Sequence, residues 1–435
     1  MNYFNNRKSN FTIRQKLNEK ETLIHNTSSN TLIIVENEVY ERFEKCNWSI
    51  SEQERWIEGG FLIEDELDER EDLLNRFISA RNYSDLSLTI CPTLGCNLRC
   101  GYCYEDSQSK IEFMSDSVAD EIVSYVEKNK FENLVLTWYG GEPLLALSRI
   151  LELQERLKSK TNKIISSMIT NGVLLTKKTF DDLIVAGVGR FQITIDGSKF
   201  YHDLRRITPS GGGTFDVITQ NLRDINCDPK YLSIRVNIDK ENKEGFISLL
   251  EYFDEDPILR KYLSIIYPAP VTAWSILPNN WTEKCLGNKE YAEFYFDLSD
   301  LVYERYSINL VKIPESKNMY CGATVKNHFV IGPKGELYKC YITVGDTSTI
   351  VGYINGENKD VLNKEELRFW DQWNPFNNDK CYNCQFLPLC MGGCPGLTHI
   401  AKKNHEDQCF QMKSYYIDTV SRSIRGDLNE INASE

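Results

Sequence analysis

Three cysteines lie within eight residues of this sequence, Cys96, Cys100 and Cys103 in the segment CNLRCGYC. Cysteine thiolates are the usual ligands of iron–sulfur clusters, and a cubane of four irons needs four ligands to be closed. Three thiolates therefore hold three corners and leave one iron open to a small molecule. A structural zinc site is normally closed by four protein ligands. The spacing favours a cluster that takes part in chemistry.

A second group of cysteines follows near the carboxyl terminus. Its members are Cys321, Cys340, Cys381, Cys384, Cys390, Cys394 and Cys409. Metal ligation can order such a segment without a hydrophobic core. A zinc ribbon is the alternative, because C-x2-C pairs also bind zinc and His399 and His405 are near in sequence. The remaining cysteines are scattered, and Cys91 lies in an apolar strand, which favours a buried core position.

Composition limits the classes of function. A net charge of −13 over 435 residues argues against a nucleic-acid partner and is compatible with a basic peptide or a small molecule. The first residues carry charge but no apolar core, so no secretory signal is expected. No apolar run is long enough to cross a membrane. These features predict a cytoplasmic protein without a membrane partner, and fourteen cysteines in such a protein favour metal binding over a disulfide framework.

The elements that position the first cysteines are an alternation of strands and helices. From about residue 87 to 268, six apolar runs of strand length alternate with amphipathic helical stretches, which predicts parallel strands covered by helices. The fold class is α/β, with a partial six-stranded (β/α) barrel over residues 86–285. Ligands of such barrels bind at the carboxyl ends of the strands. The cysteine triad and several polar residues follow the strands there.

The segments outside the barrel are assigned to four further units. Residues 1–85 contain a hairpin, two helices and a short strand, a set compatible with a winged-helix-like peptide-recognition domain or with a decoration that shields the barrel. Residues 286–310 form a linking helix, and residues 311–424 form the cysteine-rich domain. The polar residues 425–435 are expected to be a disordered tail.

The motif C-x3-C-x2-C after a first strand, with the aromatic Tyr102 before the last cysteine, resembles the signature of the radical S-adenosylmethionine (SAM) family. The resemblance implies a 4Fe–4S cluster held by Cys96, Cys100 and Cys103, with SAM chelating the open iron. A low-potential donor such as flavodoxin or ferredoxin would reduce the cluster. SAM is then cleaved to methionine and a 5′-deoxyadenosyl radical, which abstracts a hydrogen from the substrate, and the chain's role is to bind, orient and exclude water.

The same resemblance implies a set of SAM contacts. Gly140 and Gly141 let the backbone approach the ligand and Glu142 meets the ammonium group, whereas Asn171 lies near the ribose. Thr194 and Arg206 are matched to the SAM carboxylate, and Tyr102 completes the cofactor-binding set. Each of these residues alone has a plainer interpretation, as a turn, a helix cap or a surface charge. Their order along the chain, together with the triad, favours the cofactor site.

The carboxyl-terminal cysteines resemble the seven-cysteine SPASM motif of radical SAM enzymes that modify peptides and proteins, with Gly335 at its expected place. By that resemblance, one auxiliary 4Fe–4S cluster is held by Cys381, Cys384, Cys390 and Cys409. The other is held by Cys321, Cys340 and Cys394, which gives three clusters in all. Seven thiolates leave one auxiliary iron without a ligand. Either Cys285 reaches in, or that iron stays open for a substrate thiolate.

Three functions are compared. The first is a maturase that recognises a precursor peptide by its leader and installs a thioether or carbon–carbon cross-link. The second is an enzyme of the anaerobic sulfatase-maturating type, which oxidises a cysteine or serine to formylglycine. Relatives of that type carry an aspartate as proposed base after the second auxiliary cysteine, where this chain has Tyr341. The third is a non-catalytic binding protein ordered by metal.

Overall fold

The amino-terminal unit combines a small antiparallel sheet with three helices. The structure is a computed structural model that describes residues 6–105, 112–161, 163–274, 281–355, 363–402, 409 and 415–424. The strands of this unit are β1 (Asn6–Lys8), β2 (Thr12–Lys16), β3 (Glu21–Asn26), β4 (Thr31–Glu36) and β5 (Leu62–Glu64). The helices are α1 (Asn37–Glu44), α2 (Ile50–Glu58) and α3 (Glu69–Arg81). Strands β2, β3 and β4 form one sheet in that order, and β1 pairs with β5. The predicted hairpin is β3–β4.

Both faces of this small sheet are covered. On one face, Ile24 packs with Phe43 of α1 and Trp56 of α2. On the other face, Ile13 and Leu23 pack with apolar residues from the carboxyl-terminal part of the chain. The alternation of side chains along each strand provides the two apolar faces. The unit is therefore fixed to the rest of the chain by a buried surface.

Six parallel strands form the centre of the molecule. The strands of this region are β6 (Leu86–Ile90), β7 (Arg99–Cys100), β8 (Leu134–Trp138), β9 (Ile164–Thr170), β10 (Val188–Thr194), β11 (Arg206–Ile207), β12 (Leu232–Ile238) and β13 (Ile266–Pro270). Their sheet order is β13-β12-β10-β9-β8-β6, with every neighbouring pair parallel. The short β7 and β11 form a separate antiparallel pair. The predicted partial barrel of six strands is confirmed.

Helices cover the outer face of this sheet. They are α4 (Asp116–Lys128), α5 (Leu147–Lys158), α6 (Lys177–Ala186), α7 (Lys199–Arg205), α8 (Phe215–Ile225) and α9 (Lys243–Glu255). Side chains from strands and helices form one continuous buried cluster, in which Trp138 and Phe253 are fully enclosed. Helix α4 begins at the cap Ser115 and α6 ends at Gly187, in the left-handed region. These local signals explain why the periodicity predicted the helices well.

The carboxyl-terminal part extends the central sheet. Its elements are α10 (Asn288–Tyr306), β14 (His328–Ile331), β15 (Glu336–Tyr338), β16 (Gly352–Tyr353), α11 (Lys364–Gln372), α12 (Asp379–Tyr382), α13 (Leu387–Cys390), α14 (Pro395–His399) and α15 (Tyr416–Ser423). Strand β14 pairs in parallel with β6, so the sheet has nine strands. The expected linking helix is α10. The expected tail, residues 425–435, lies outside the described residues.

The amino-terminal unit also contacts the cysteine-rich part through polar groups. Arg81, the last residue of α3, donates to the backbone carbonyls of Thr324, Trp370, Asp371 and Trp373. Thr27 donates to the carbonyl of Gln385, beside Cys384. Hydrogen bonds from side chains to backbone carbonyls fix how the amino-terminal unit is oriented on the cysteine-rich part. Among the described residues, no helix has the length and apolar character needed to span a bilayer.

Candidate active site

A cavity of about 360 Å³ opens at the carboxyl ends of the barrel strands. Most of the residues predicted for cofactor binding line it. They are Cys96, Cys100, Tyr102, Cys103, Gly140, Gly141, Asn171, Thr194 and Arg206. The cavity has the size of an ordinary small-ligand site. The structure thus brings together side chains that are up to 110 residues apart in the chain.

The loop that carries the cysteine triad is held by a short antiparallel ladder. Strand β7 pairs with β11, so that Cys100 is opposite Arg206. This pairing places the segment HDLRR (residues 202–206) directly against the triad. Burial raises the pKa of Cys96 to about 11 and that of Cys103 to about 12. Iron would therefore displace protons from these thiols when it binds.

A buried network of charged and polar groups surrounds Tyr102. Its hydroxyl donates to Asp196 and accepts hydrogen bonds from Arg206 Nη1 at 2.5 Å and Asn237 Nδ2 at 3.1 Å. Arg205 is bound to Asp239 Oδ2 at 2.6 Å. Burial works to raise the pKa of Asp196, but the two guanidinium groups overcome it and hold that pKa below its usual range. The network fixes the ring beside the cysteine triad.

The residues present fit an anionic ligand in this cavity. Arg206 is 8% exposed and lines the cavity, and its Nε has no hydrogen-bond partner among the described residues. A buried donor without an acceptor is unfavourable, and a ligand carboxylate would supply the missing acceptor. Three cavity-lining thiols and an unsatisfied guanidinium nitrogen are the donor set that a cluster and the carboxylate of SAM require. The sequence matched Arg206 to this role by resemblance only.

Glu142 has a different environment from the one expected. Its carboxylate is fully buried and accepts hydrogen bonds from the Thr170 hydroxyl at 2.8 Å and from the backbone N–H groups of Leu144 at 3.0 Å and Asn171 at 2.8 Å. These contacts orient the backbone that precedes the Asn171 side chain. The side chain of Glu142 does not appear in the cavity wall, so its contact with the SAM ammonium group stays a prediction.

The alternation of side chains along β10 and β12 explains the other polar groups of the cavity. Gln192 and Thr194 point from β10 into it, and Arg235 and Asn237 do the same from β12. Asn171 follows β9, and its side chain donates to Asn97 Oδ1 at 2.7 Å, next to Cys96. Asn237 and Asp196 were missed by the sequence interpretation. Each stands at the end of an apolar strand, which is a signal that would have found them.

Gly140 and Gly141 pack against the backbone that leads into the triad. A Cβ atom at Gly141 would lie 2.5 Å from the carbonyl oxygens of Leu94 and Gly95, and one at Gly140 would meet that of Thr93. Gly140 also has a φ of +120°, which disfavours any side chain. The two glycines are thus required by contact with the cluster loop, in addition to the approach of a ligand.

Replacing Gly141 with alanine is expected to lower SAM cleavage by roughly 10- to 100-fold, since a displacement of about 1 Å is enough for such a loss. The added methyl group pushes the loop before Cys96 away, because both clashing atoms are backbone. The rate of 5′-deoxyadenosine formation and the iron content per chain measure the effect. Gly189→Ala is the matched control, because its Cβ would meet only the Ser166 carbonyl oxygen, at 3.9 Å. Equal activity of the two variants would contradict the prediction.

The carboxyl-terminal cysteines approach one another in two groups. Burial raises the pKa of Cys340 to about 12, and the nearby thiols of Cys321 and Cys394 contribute. Burial also raises the pKa of Cys390, with contributions from Cys409 and Cys384. Each set of neighbours belongs to one of the two ligand sets that the SPASM resemblance implies, and Cys381 is not among them. The assignment of a cluster to each group stays a prediction.

Cys285 is a buried residue beside the first cysteine loop. It lies with Val271 and Trp281 in a cluster against which Tyr102 and Tyr104 pack. Its thiol donates to the Trp281 carbonyl at 3.3 Å. Both options for the missing auxiliary ligand, Cys285 or an open iron, stay predictions.

Aromatic residues and one carboxylate form the wall between the triad and Cys340. Tyr341 lines the cavity, with its ring centroid 5.5 Å from that of Tyr139. The Tyr139 hydroxyl is hydrogen-bonded to that of Tyr104. Glu105 completes this wall, and burial raises its pKa to about 7, an effect that the Tyr139 hydroxyl partly offsets. The sequence did not single out Glu105 or Tyr139.

The zinc alternative for the carboxyl-terminal cysteines stays a prediction. Among the described residues, no three His, Cys, Asp or Glu side chains form a group that could hold a metal ion. His399 is stacked on Phe369, and its Nε2 lies 2.5 Å from Glu366 Oε2. His405 is outside the described residues.

Comparison with known proteins is consistent with this geometry. Residues 90–253 match the Radical SAM superfamily. The cysteine-type anaerobic sulfatase-maturating enzyme of Clostridium perfringens (strain 13 / Type A) is 26% identical over 342 residues, which cover 71% of this chain and 88% of that protein. The serine-type enzyme of Bacteroides thetaiotaomicron is 27% identical over 385 residues, covering 76% and 89% respectively.

Solved structures share the fold. Native anSMEcpe with bound AdoMet superposes with a TM-score of 0.58 at 23% identity, covering 80% of this chain and 98% of that one. Streptococcus suis SuiB bound to its precursor peptide SuiA gives a TM-score of 0.51 at 17% identity, covering 89% and 95% respectively. At these identities the likeness concerns architecture, and it extends over the barrel and beyond it.

Proposed function

On the premise that this chain carries a radical SAM domain at residues 90–253, we propose that it modifies a ribosomally made precursor peptide and forms a thioether or carbon–carbon cross-link. The observation that carries the proposal is one cavity shared by the cysteine triad, the polar strand ends and Tyr341 next to Cys340. Sulfatase-maturating relatives and SuiB, whose structure contains a precursor peptide, support a peptide as the substrate.

The cluster and SAM, when bound, supply a radical that abstracts a hydrogen atom. Cys96, Cys100 and Cys103 would hold the cluster, and Arg206 Nε would bind the SAM carboxylate together with Thr194. Asp196, through Tyr102, keeps the guanidinium of Arg206 at the cavity wall. The chain thus binds and orients the cofactor with groups that are already in place before it arrives.

Two auxiliary clusters belong to the proposal. Cys381, Cys384, Cys390 and Cys409 would fill one cluster completely. Cys321, Cys340 and Cys394 would leave one iron of the other open, where a substrate thiolate can bind. Iron–sulfur potentials depend on hydrogen bonds and burial, so a cluster in this half-buried position is suited to take the electron that the cross-linked product must lose.

The amino-terminal unit is proposed to recognise the leader of the precursor. Strand β4 pairs with β3 and has no second neighbour among the described strands. All residues of β4 are at least partly exposed. An extended peptide adds to such an edge through main-chain hydrogen bonds. The leader would be held where the unit contacts the backbone beside Cys384.

Replacing Ile34 of β4 with proline is expected to weaken leader binding by about 10-fold or more, because the edge loses one backbone donor and its regular geometry. Ile34→Ala removes the same apolar contacts but keeps the N–H, so it is the matched control. Anisotropy of a fluorescent leader peptide measures binding, and iron content reports folding. Similar affinities of the two variants would argue against strand addition at β4.

Mass spectrometry of a precursor peptide encoded beside this gene tests the function. After anaerobic incubation with SAM and a reductant, cross-linking removes a pair of hydrogens from the peptide and creates no aldehyde. Formylglycine, the product of enzymes of the sulfatase-maturating type, is an aldehyde and reacts with an aminooxy reagent. An aldehyde product would favour formylglycine formation over cross-linking. If no peptide encoded nearby changes in mass, both functions are rejected.

A further inference from the structure

A second cavity of about 1010 Å³ adjoins the candidate active site. Tyr104, Glu105 and Ile342 belong to the walls of both cavities. Glu105 lines the first cavity together with Cys96, Cys100 and Cys103, so this wall is close to the triad. A group placed in the second cavity can therefore reach the neighbourhood of the reacting atoms.

Glu105 is the unsatisfied group at this junction. Its side chain is 8% exposed, and neither carboxylate oxygen has a hydrogen bond among the described residues, although the Tyr139 hydroxyl is close enough to lower the pKa of Glu105. A buried carboxylate is normally paired or hydrogen-bonded, because desolvation is costly. Glu142, by comparison, is also buried but accepts three hydrogen bonds. Within the described part of the chain, Glu105 is therefore a buried carboxylate that can still accept a donor.

The surroundings determine the charge of that partner. Four more carboxylates line the second cavity, those of Glu112, Glu336, Asp346 and Glu366. Among the described residues, two ammonium groups line it, those of Lys334 and Lys402, and the His399 ring lies against Glu366. Lys334 is already bound to Glu112 at 2.8 Å. Excess negative charge favours a cation over a neutral donor and repels an acidic group.

We propose that the second cavity admits a segment of the substrate peptide and that Glu105 receives a lysine or arginine side chain of that segment. The ion pair would fix the register of the peptide, so that a residue at a set spacing from the cation faces the triad. The inference rests on the proposed function, because it names a recognition element of the same substrate. It assigns specificity, not proton transfer, to Glu105.

The first experiment uses small probes and the holoenzyme. Saturation-transfer NMR under anaerobic conditions compares N-acetyl-L-lysinamide with N-acetyl-L-norleucinamide, which lacks the charge. The wild type is expected to favour the lysine probe by about 5-fold or more, and Glu105→Gln to remove the preference. Glu155→Gln, an exposed position on α5, is the charge-matched control and should behave as the wild type. Equal binding of both probes by the wild type would overturn the proposal.

The second experiment uses the precursor peptide. Each lysine and arginine is replaced by norleucine in turn, and one replacement is expected to lower the kcat/KM of modification by roughly 10- to 100-fold in the wild type. The same replacement should have no further effect in Glu105→Gln, because the pair is already broken. If that variant does not retain its iron, Glu105→Asp, which keeps the charge but shortens the reach, is expected to lose part of the preference.

The outcomes separate the two proposals. A lysine probe bound through Glu105, with no peptide modified, would reject the proposed function and leave the cation site. The opposite outcome is a peptide that is modified, but with the same kcat/KM by Glu105→Gln and by the wild type at every replacement. That result would reject the cation site and leave the proposed function.

Discussion

Replacing Cys96, Cys100 and Cys103 together with alanine is expected to abolish 5′-deoxyadenosine formation and to remove about four of the roughly twelve irons per chain. The physical reason is that the thiols line one cavity with Arg206, so no other described side chain can substitute for them. Anaerobic iron analysis and chromatography of the SAM products provide the measurement. Cys46→Ala, at an exposed cysteine, is the control.

This variant also tests the non-catalytic alternative. A metal-ordered scaffold would contain zinc and little iron, and its metal content would come from the carboxyl-terminal cysteines. Iron in the wild type that is unchanged in the triple variant, or 5′-deoxyadenosine that still accumulates, would reject the assignment of the triad. Zinc without iron in the wild type would favour the scaffold.

The second large effect is expected from Cys321, Cys340 and Cys394. Their joint replacement with alanine should lower peptide modification by about 100-fold or more, while SAM cleavage in the absence of peptide changes by less than about 3-fold. The two functions separate because the triad and this group are held by different loops. Tyr341 and Ile342, which follow Cys340, reach the wall of the cavity.

Parallel assays of modified peptide and 5′-deoxyadenosine check this expectation, with iron content as the measure of folding. Cys227→Ala is the control, because its thiol lies beside the Tyr262 hydroxyl on the barrel and belongs to neither group. Loss of both activities in the triple variant would indicate a structural role for the second cysteine group. Retention of both would remove this group from the mechanism.

The sequence predicted those features that repeat locally or follow a motif. The six barrel strands, the helices between them and the β3–β4 hairpin were recognisable because periodicity and capping act over a few residues. The triad was found from the spacing of its cysteines, and the strand-end polar residues were matched by the resemblance to the radical SAM family. These predictions needed no information on distant contacts.

What the sequence did not reveal depends on contacts between distant residues. Nothing in HDLRR indicates that Arg206 pairs with Cys100, because both strands contain only two residues. The three hydrogen bonds that enclose Glu142 come from residues of two elements. The sequence did not single out Glu105, since its burial at the junction of two cavities is not visible in local sequence.

The parallel pairing of β14 with β6 has a consequence for electron transfer. Strand β6 leads into the triad, and β14 leads through β15 into Cys340, so a shared ladder of backbone hydrogen bonds ties both cysteine-bearing loops to one rigid support. If both loops hold clusters as proposed, the fold would keep the tunnelling distance between them constant. Moving one loop towards the other would break the central sheet, so reduction potentials rather than a change of distance would control electron transfer.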